Sequence, residues 1–381
     1  MTYRVISADN HLLEPPNLFV DRVPARYKDQ APRMVRGKDG GDGWSLDGSI
    51  PESTISLGGG LGSVNPGERI RIAPRGLRWE EVRPGNYDGA AHIKDMLNDG
   101  IDASVVYPQM VYRAYTGLKD RDLGLECLKA FNDWLLDDFC GADPARLIGM
   151  PMLPTDDGLE AMMREAEHVA AKGARGVFLP YTSTRGLYEP FYDPLWKLLS
   201  ESNIVASLHN FGGTPPPTPD GMQPTNLRAS TTVGSFFSAP GPLTHMIFAG
   251  IFERFPNLKF VAAEVNVGWV PYWLQQMHMT IERPHMKGGN WYPYLPTETP
   301  EDYIGKNVFF TVLDDYLGFK MMKDDERLAS ATMWSVDYPH GVSLWGQNRE
   351  FIQQLTDGMD DQTKYNILAG TAMRVFNLNL N

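Results

Sequence analysis

The sequence predicts a single (β/α)8 TIM barrel with a long insertion after the first strand. Eight short apolar runs read as parallel strands covered on both faces. Amphipathic stretches with three- and four-residue spacing alternate with them, and eight such units over about 250–300 residues fit a closed barrel. An open doubly wound sheet is the alternative, weakened because no G-x-G-x-x-G follows the first run.

The strands are expected at 4–8, 103–108, 147–153, 174–179, 204–208, 259–263, 307–313 and 331–336, each rich in Val, Ile, Phe or Met. Apolar periodicity places helices at 123–139 and 159–171. The second has Thr155, Asp156 and Asp157 as capping candidates and Lys172-Gly173 as its stop. Further helices are expected at 191–202, 242–255, 269–283, 318–327, 347–355 and 362–369. Two stretches break the rhythm. Residues 21–88 are dense in Gly, Pro, Arg and Asp, and read as an inserted lid or interface element or as a surface decoration. Residues 212–225 carry Pro215, Pro216, Pro217 and Pro219 directly after the fifth strand, where a stiff segment would wall a pocket. The whole chain, 1–381, is expected to be one domain.

Composition excludes several functions. The 381 residues hold 47 Asp+Glu against 35 Lys+Arg, a formal net charge of −12, which argues against nucleic acid or an anionic membrane as partner. Two cysteines, Cys127 and Cys140, cannot build a disulfide framework or a thiolate zinc cluster. There is no membrane-spanning run and no leader-like start, so a cytoplasmic location is expected. No G-x-S-x-G is present, and neither cysteine has a histidine suited to activate it.

Barrel enzymes carry their chemistry at the C-terminal ends of the strands. Here the first strand runs into Asp9, His11 and Glu14, the fifth into His209, the sixth into Glu264 and the eighth into Asp337 and His340. Each has an ordinary structural explanation alone, as a turn cap or a satisfied strand-end histidine. Together they place His and carboxylate donors on one face, which suits a catalytic divalent cation. His340, three residues past Asp337, is either a proton carrier or an outer hydrogen-bond partner. His92 and His168 are expected on the surface, and His245 is a candidate for the pocket wall. His278 and His285 fall on outer helices or loops. Arg113 and Arg228 are candidate partners for a substrate carboxylate. Trp269, Tyr272, Trp334, Trp345 and Phe211 suggest a large apolar or aromatic ligand, or simply barrel packing.

These motifs resemble the amidohydrolase superfamily, in the amidohydrolase-2 branch that contains aminocarboxymuconate-semialdehyde decarboxylase-like enzymes. The resemblance covers nearly the whole chain. It rests on Ser7-Ala8-Asp9-Asn10-His11 with Glu14-Pro15-Pro16, Leu208-His209, Gly250-Ile251-Phe252-Glu253-Arg254-Phe255-Pro256, Gly268-Trp269-Val270-Pro271-Tyr272 and Trp334-Ser335-Val336-Asp337-Tyr338-Pro339-His340. It implies a first-strand metal motif His-x-His or Glu-x-His, in which His11 matches, Leu13 occupies the second His position and Asp9 the Glu position. It also implies His209 and Asp337 as ligands, with Asp337 often moving protons. The family's sixth-strand His is Glu264 here, which could bind a metal, bridge two, or act as a base. The fourth strand has no lysine, so one ion is the default and two an option.

The metal set expected is therefore His11, Glu14, Asp9, His209, Glu264 and Asp337, holding one or two ions of Fe, Zn or Mn. Asp337, His340 and Glu264 are the catalytic candidates. The leading reaction expected is hydrolysis of an amide, ester, thioester or lactone by metal-activated water. The alternative is non-oxidative decarboxylation of an aromatic or unsaturated acid. A metal-free binding barrel is the non-enzymatic reading. A small-molecule substrate and further copies of the chain, as a homodimer or larger homo-oligomer, are the expected partners.

Overall fold

Among the described residues ten strands form in chain order: β1 (Ile6–His11), β2 (Arg33–Arg36), β3 (Asp42–Ser45), β4 (Ala103–Tyr107), β5 (Leu147–Gly149), β6 (Gly176–Phe178), β7 (Val205–His209), β8 (Phe260–Ala263), β9 (Val308–Val312) and β10 (Thr332–Trp334). They are seen in a computed structural model, which describes residues 4–51, 60, 76–180, 185–210, 224–283 and 296–380. Eight of them are parallel and lie in two arcs, β1-β4-β5 and β6-β7-β8-β9-β10. At one seam Phe178 of β6 pairs with Met152 just past β5, with Leu153 N–H donating to Phe178 O. At the other seam Asp337 N–H donates to Asp9 O and His11 N–H to Tyr338 O. The arcs thus join at both ends in sequence order, as the predicted barrel requires.

Side chains alternate between the two faces of each strand. Val205, Val261, Phe309 and Met333 pack in one apolar cluster, and their neighbours Ala206, Ala262, Phe310 and Trp334 in another. Tyr107 of β4 reaches Ser207 of β7, hydroxyl to hydroxyl at 2.8 Å, a contact between strands that are not neighbours. That contact closes the interior beneath the C-terminal ends.

The helices follow the sequence with informative departures. Aspartates at the N-caps accept first-turn amides: Asp88 from Ala91, Asp120 from Leu123, Asp315 from Gly318, Asp325 from Leu328 and Asp360 from Thr363. Part of the acidic surplus is therefore structural. The stretch 242–255 is two helices, Pro240–Phe248 and Ile251–Arg254, parted at Gly250, whose φ of 68° is left-handed. The stretch 318–327 divides where Asp325 caps a new start. Asp157 precedes the helix Gly158–Ala171 without capping it; its carboxylate binds Tyr115 and Arg121 instead.

Within 21–88 the antiparallel hairpin β2-β3 lies outside the barrel ladder, with Trp44 packed on Phe19. Residues 52–59 and 61–75 of that stretch lie outside the described residues, as do 211–223 of the proline-rich segment. Among the described residues no helix is long and apolar enough to cross a membrane.

Candidate metal centre and substrate cavity

Alternation along β1 sends Asp9 and His11 to one face and Asn10 to the other. Asn10 is pinned: its side-chain carbonyl accepts from Ser7 Oγ (2.9 Å) and Tyr338 N (3.1 Å), and its amide donates to Ser104 Oγ (2.7 Å). That fastening ties β1 to β4 and to the segment after β10. Its neighbours' side chains meet His209 from the end of β7. His209 Nε2 lies 3.1 Å from Asp9 Oδ1, and His11 Nε2 lies 3.5 Å from the same oxygen and 3.4 Å from Asp337 Oδ1. His340 Nδ1 lies 2.8 Å from Asp337 Oδ1, and its Nε2 is 3.0 Å from Gln109 Oε1.

The backbone is held out of its ordinary range where these groups emerge. Glu264 and Asp337 have φ of 54° and 56°, in the left-handed region that non-glycine residues seldom enter. Thr311 of β9 supports both sides of the cluster, since its Oγ accepts from Glu264 N (2.7 Å) and donates to Asp9 Oδ2 (3.3 Å).

The electrostatics are those of charges crowded away from water. Burial, with the positive ends of His340 and His209 nearby, holds His11 well below the ordinary histidine value. Burial also acts against charge on His209, but Asp9 and then Glu264 outweigh it and push the ring up to about 10. Burial and the neighbouring Asp337 raise the Glu264 carboxyl to about 8, and burial raises Asp337 as well. His340 is raised by Asp337 against the same burial.

Buried His11 Nε2 and Asp337 Oδ2 find no hydrogen-bond partner among the described residues. Leaving two such atoms unsatisfied is costly, and two imidazoles with two carboxylates are a donor set for Zn, Fe or Mn. Two groupings close enough to share an ion occur among the described residues, Asp9–His11–His209 and His11–Asp337–His340. The residues fit a divalent cation.

A cavity of about 330 Å³ opens over this cluster. Its walls include Tyr107, Tyr112, Phe178, Asn210, Glu264 and Arg113. Arg113 is exposed on the helix Met110–Gly117.

Five of the sequence candidates, Asp9, His11, His209, Asp337 and His340, are brought together, with Glu264 on the cavity wall 3.7 Å from His209 Nδ1. Glu14 is not in either grouping. Its Oε1 accepts from the amides of Met110 (2.6 Å), Val111 (2.9 Å) and Gln109 (3.3 Å), and burial raises its carboxyl to about 7. His92 is fully buried rather than on the surface, because its Nδ1 meets Gly85 O at 2.9 Å in the irregular stretch before its helix. His245 is exposed beside Tyr188 and does not line the cavity. The expected aromatic rim is also displaced. Trp334 is fully buried, Trp345 packs on Tyr338, Trp269 on Trp273, and Tyr272 is 67% exposed. Phe211 and the Arg228 side chain lie outside the described residues. Gln109 and Tyr112 were missed, although a polar residue directly after the second apolar run was the available signal.

The amidohydrolase-2 family model, described as amidohydrolase, matches residues 88–378. The 2-amino-3-carboxymuconate-6-semialdehyde decarboxylase of Dictyostelium discoideum is 23% identical over 80% of this chain and 81% of its own. An amidohydrolase from Mycobacterium avium subsp. paratuberculosis superposes with a TM-score of 0.76 at 19% identity, covering 100% of this chain and 99% of the other. The 5-carboxyvanillate decarboxylase of Novosphingobium aromaticivorans, solved with manganese and 4-hydroxy-3-methoxy-5-nitrobenzoic acid, gives 0.65 at 22% identity over 99% and 96%. Two of these three are decarboxylases by description.

Proposed function

The chain belongs to the amidohydrolase family, and on that premise we propose that it is a divalent-metal-dependent, non-oxidative decarboxylase of a small aromatic or unsaturated carboxylic acid. The observation that carries this reading is the make-up of one cavity. The donor cluster lies at its base, aromatic faces of Tyr107 and Phe178 flank it, and Arg113 stands on its wall with no ion pair among the described residues. A guanidinium is matched to a carboxylate. A volume of about 330 Å³ takes one substituted ring.

Asp9, His11, His209 and Asp337 would hold the ion, with manganese the first to test, given the similar decarboxylase solved with it. When bound, a divalent ion supplies Lewis-acid polarisation of the substrate's oxygens. Arg113 and Tyr112 orient the substrate, and Tyr107 and Phe178 exclude water from its ring. Asp337, beside His340, delivers a proton to the carbon that carries the carboxylate. That carbon gains the proton, its bond to the carboxylate breaks, and carbon dioxide leaves. Glu264 flanks the same space as a second carboxyl. The two buried free thiols accord with a cytoplasmic, reducing setting.

The test is metal analysis of the purified protein, followed by a panel of hydroxybenzoates and unsaturated acids run against a panel of esters and thioesters. Carbon dioxide release that is abolished by chelation and restored by manganese is expected. Ester or thioester cleavage with no carbon dioxide from any acid would overturn the proposal.

A further inference from the structure

Glu14 stands close to the cluster in sequence, yet its carboxylate is used elsewhere. The helix Met110–Gly117 begins at Gln109, whose side chain makes no capping bond. A helix start leaves amides without partners, and a carboxylate is the favoured group to satisfy them. That carboxylate is Glu14, fully buried and 96 residues from Met110, with Oε1 receiving three consecutive amides. Because Glu14 caps the helix, the Gln109 side chain is free to turn to His340 Nε2, 3.0 Å away. His340 in turn touches Asp337 at 2.8 Å. The first turn of the same helix carries Tyr112 and Arg113 into the cavity wall.

We propose that Glu14 is a positioning residue of the reaction, which seats the helix Met110–Gly117 so that Gln109 holds His340 and Tyr112 and Arg113 form the substrate wall. The inference rests on the cavity being the reaction site, as read above. It does not depend on which bond is broken there.

The test compares Glu14→Ala, Glu14→Gln, Gln109→Ala and the Glu14→Ala/Gln109→Ala double variant with the unaltered enzyme. Manganese per chain is counted, and kcat and KM are measured on the best substrate of the two panels. Manganese content is expected to stay at the unaltered level. Glu14→Ala should lower kcat by about ten- to a hundredfold and raise KM, in the range seen when outer supporting groups are removed. Glu14→Gln keeps an acceptor oxygen and should recover most of the loss. Gln109→Ala should lower kcat, and the double variant should lower it no further than Glu14→Ala alone. Loss of manganese on changing Glu14 would overturn the proposal by making it a ligand. Unaltered kcat and KM with only a lower melting temperature would overturn it, as would additive losses in the double variant. If Glu14→Ala does not accumulate folded, Gln109→Ala decides, and an unchanged kcat there overturns the proposal. If the unaltered enzyme cleaves esters and releases no carbon dioxide, decarboxylation fails, while the same variants still judge Glu14 in the ester assay.

Discussion

The two walls of the cavity are built differently. Asp9 and His11 stand on β1 and His209 on β7, and Asp337 is tied to β1 through its own backbone amide. Asp9, His11 and His209 belong to hydrogen-bonded ladders whose register fixes where the side chain can go, and Asp337 is held just past the end of β10. Gln109, Tyr112 and Arg113 stand at the start of a single eight-residue helix, whose first amides are held by one distant carboxylate and whose inner face, Met110, Val111, Ala114 and Tyr115, is buried. The contrast teaches a division of labour. The groups that would hold charge and move protons are buried on or just past the strands, and the groups that would choose the substrate ride on the first turn of a helix whose start a single carboxylate caps.

The largest expected effect lies on the strand-borne wall. Asp337→Asn should keep the fold but cut kcat by about a thousandfold, within the usual span for loss of an acid-base group. Turnover and circular dichroism on the same preparation check it, and a drop of less than tenfold would break the division. A second expectation concerns what lies behind that wall. His92 packs against Tyr338, next to Asp337 in sequence, and burial holds its ring down to about 4. The unfolded chain binds the proton near 6.5, so the stabilisation is present above 6.5 and is lost as pH falls toward 4. The full displacement is worth about 3 kcal/mol. Urea melts between pH 7 and 4 should show this decline, and His92→Gln should flatten it; an equal slope in both proteins would deny His92 the role. The smallest effect falls on the helix-borne wall. Arg113→Ala should raise KM by about tenfold or somewhat more, the worth of a charged hydrogen bond, with metal content and melting temperature unchanged. A change confined to kcat would place Arg113 with the other wall.

The strand-borne wall was legible in the sequence because a polar residue at the end of a buried apolar run has few other places to point. Asp9, His11, His209 and Asp337 all follow that rule. The helix-borne wall was not. Glu14 reads as a ligand from its closeness to His11, and only the fold reveals amides 96 residues away as its partners. His92 was misplaced for a similar reason, since the carbonyl of Gly85 that satisfies it lies in a stretch with no periodicity. The aromatic residues were visible, but which of them face the cavity depends on strand alternation and helix rotation rather than composition. The extra carboxylates put hydrolysis ahead of decarboxylation in the sequence, yet the same imidazoles and carboxylates serve both.

The seam at β1 sets a limit on how the chain can be shortened. The family model matches from residue 88, after β1 has passed. Yet β1 lies between β4 and the segment that follows β10, and it closes the circle. A fragment cut to the matched span would lose Asp9 and His11 and expose two raw ladder edges, ready to pair with other molecules and aggregate. The stretch by which such proteins are recognised is thus shorter than the stretch that folds.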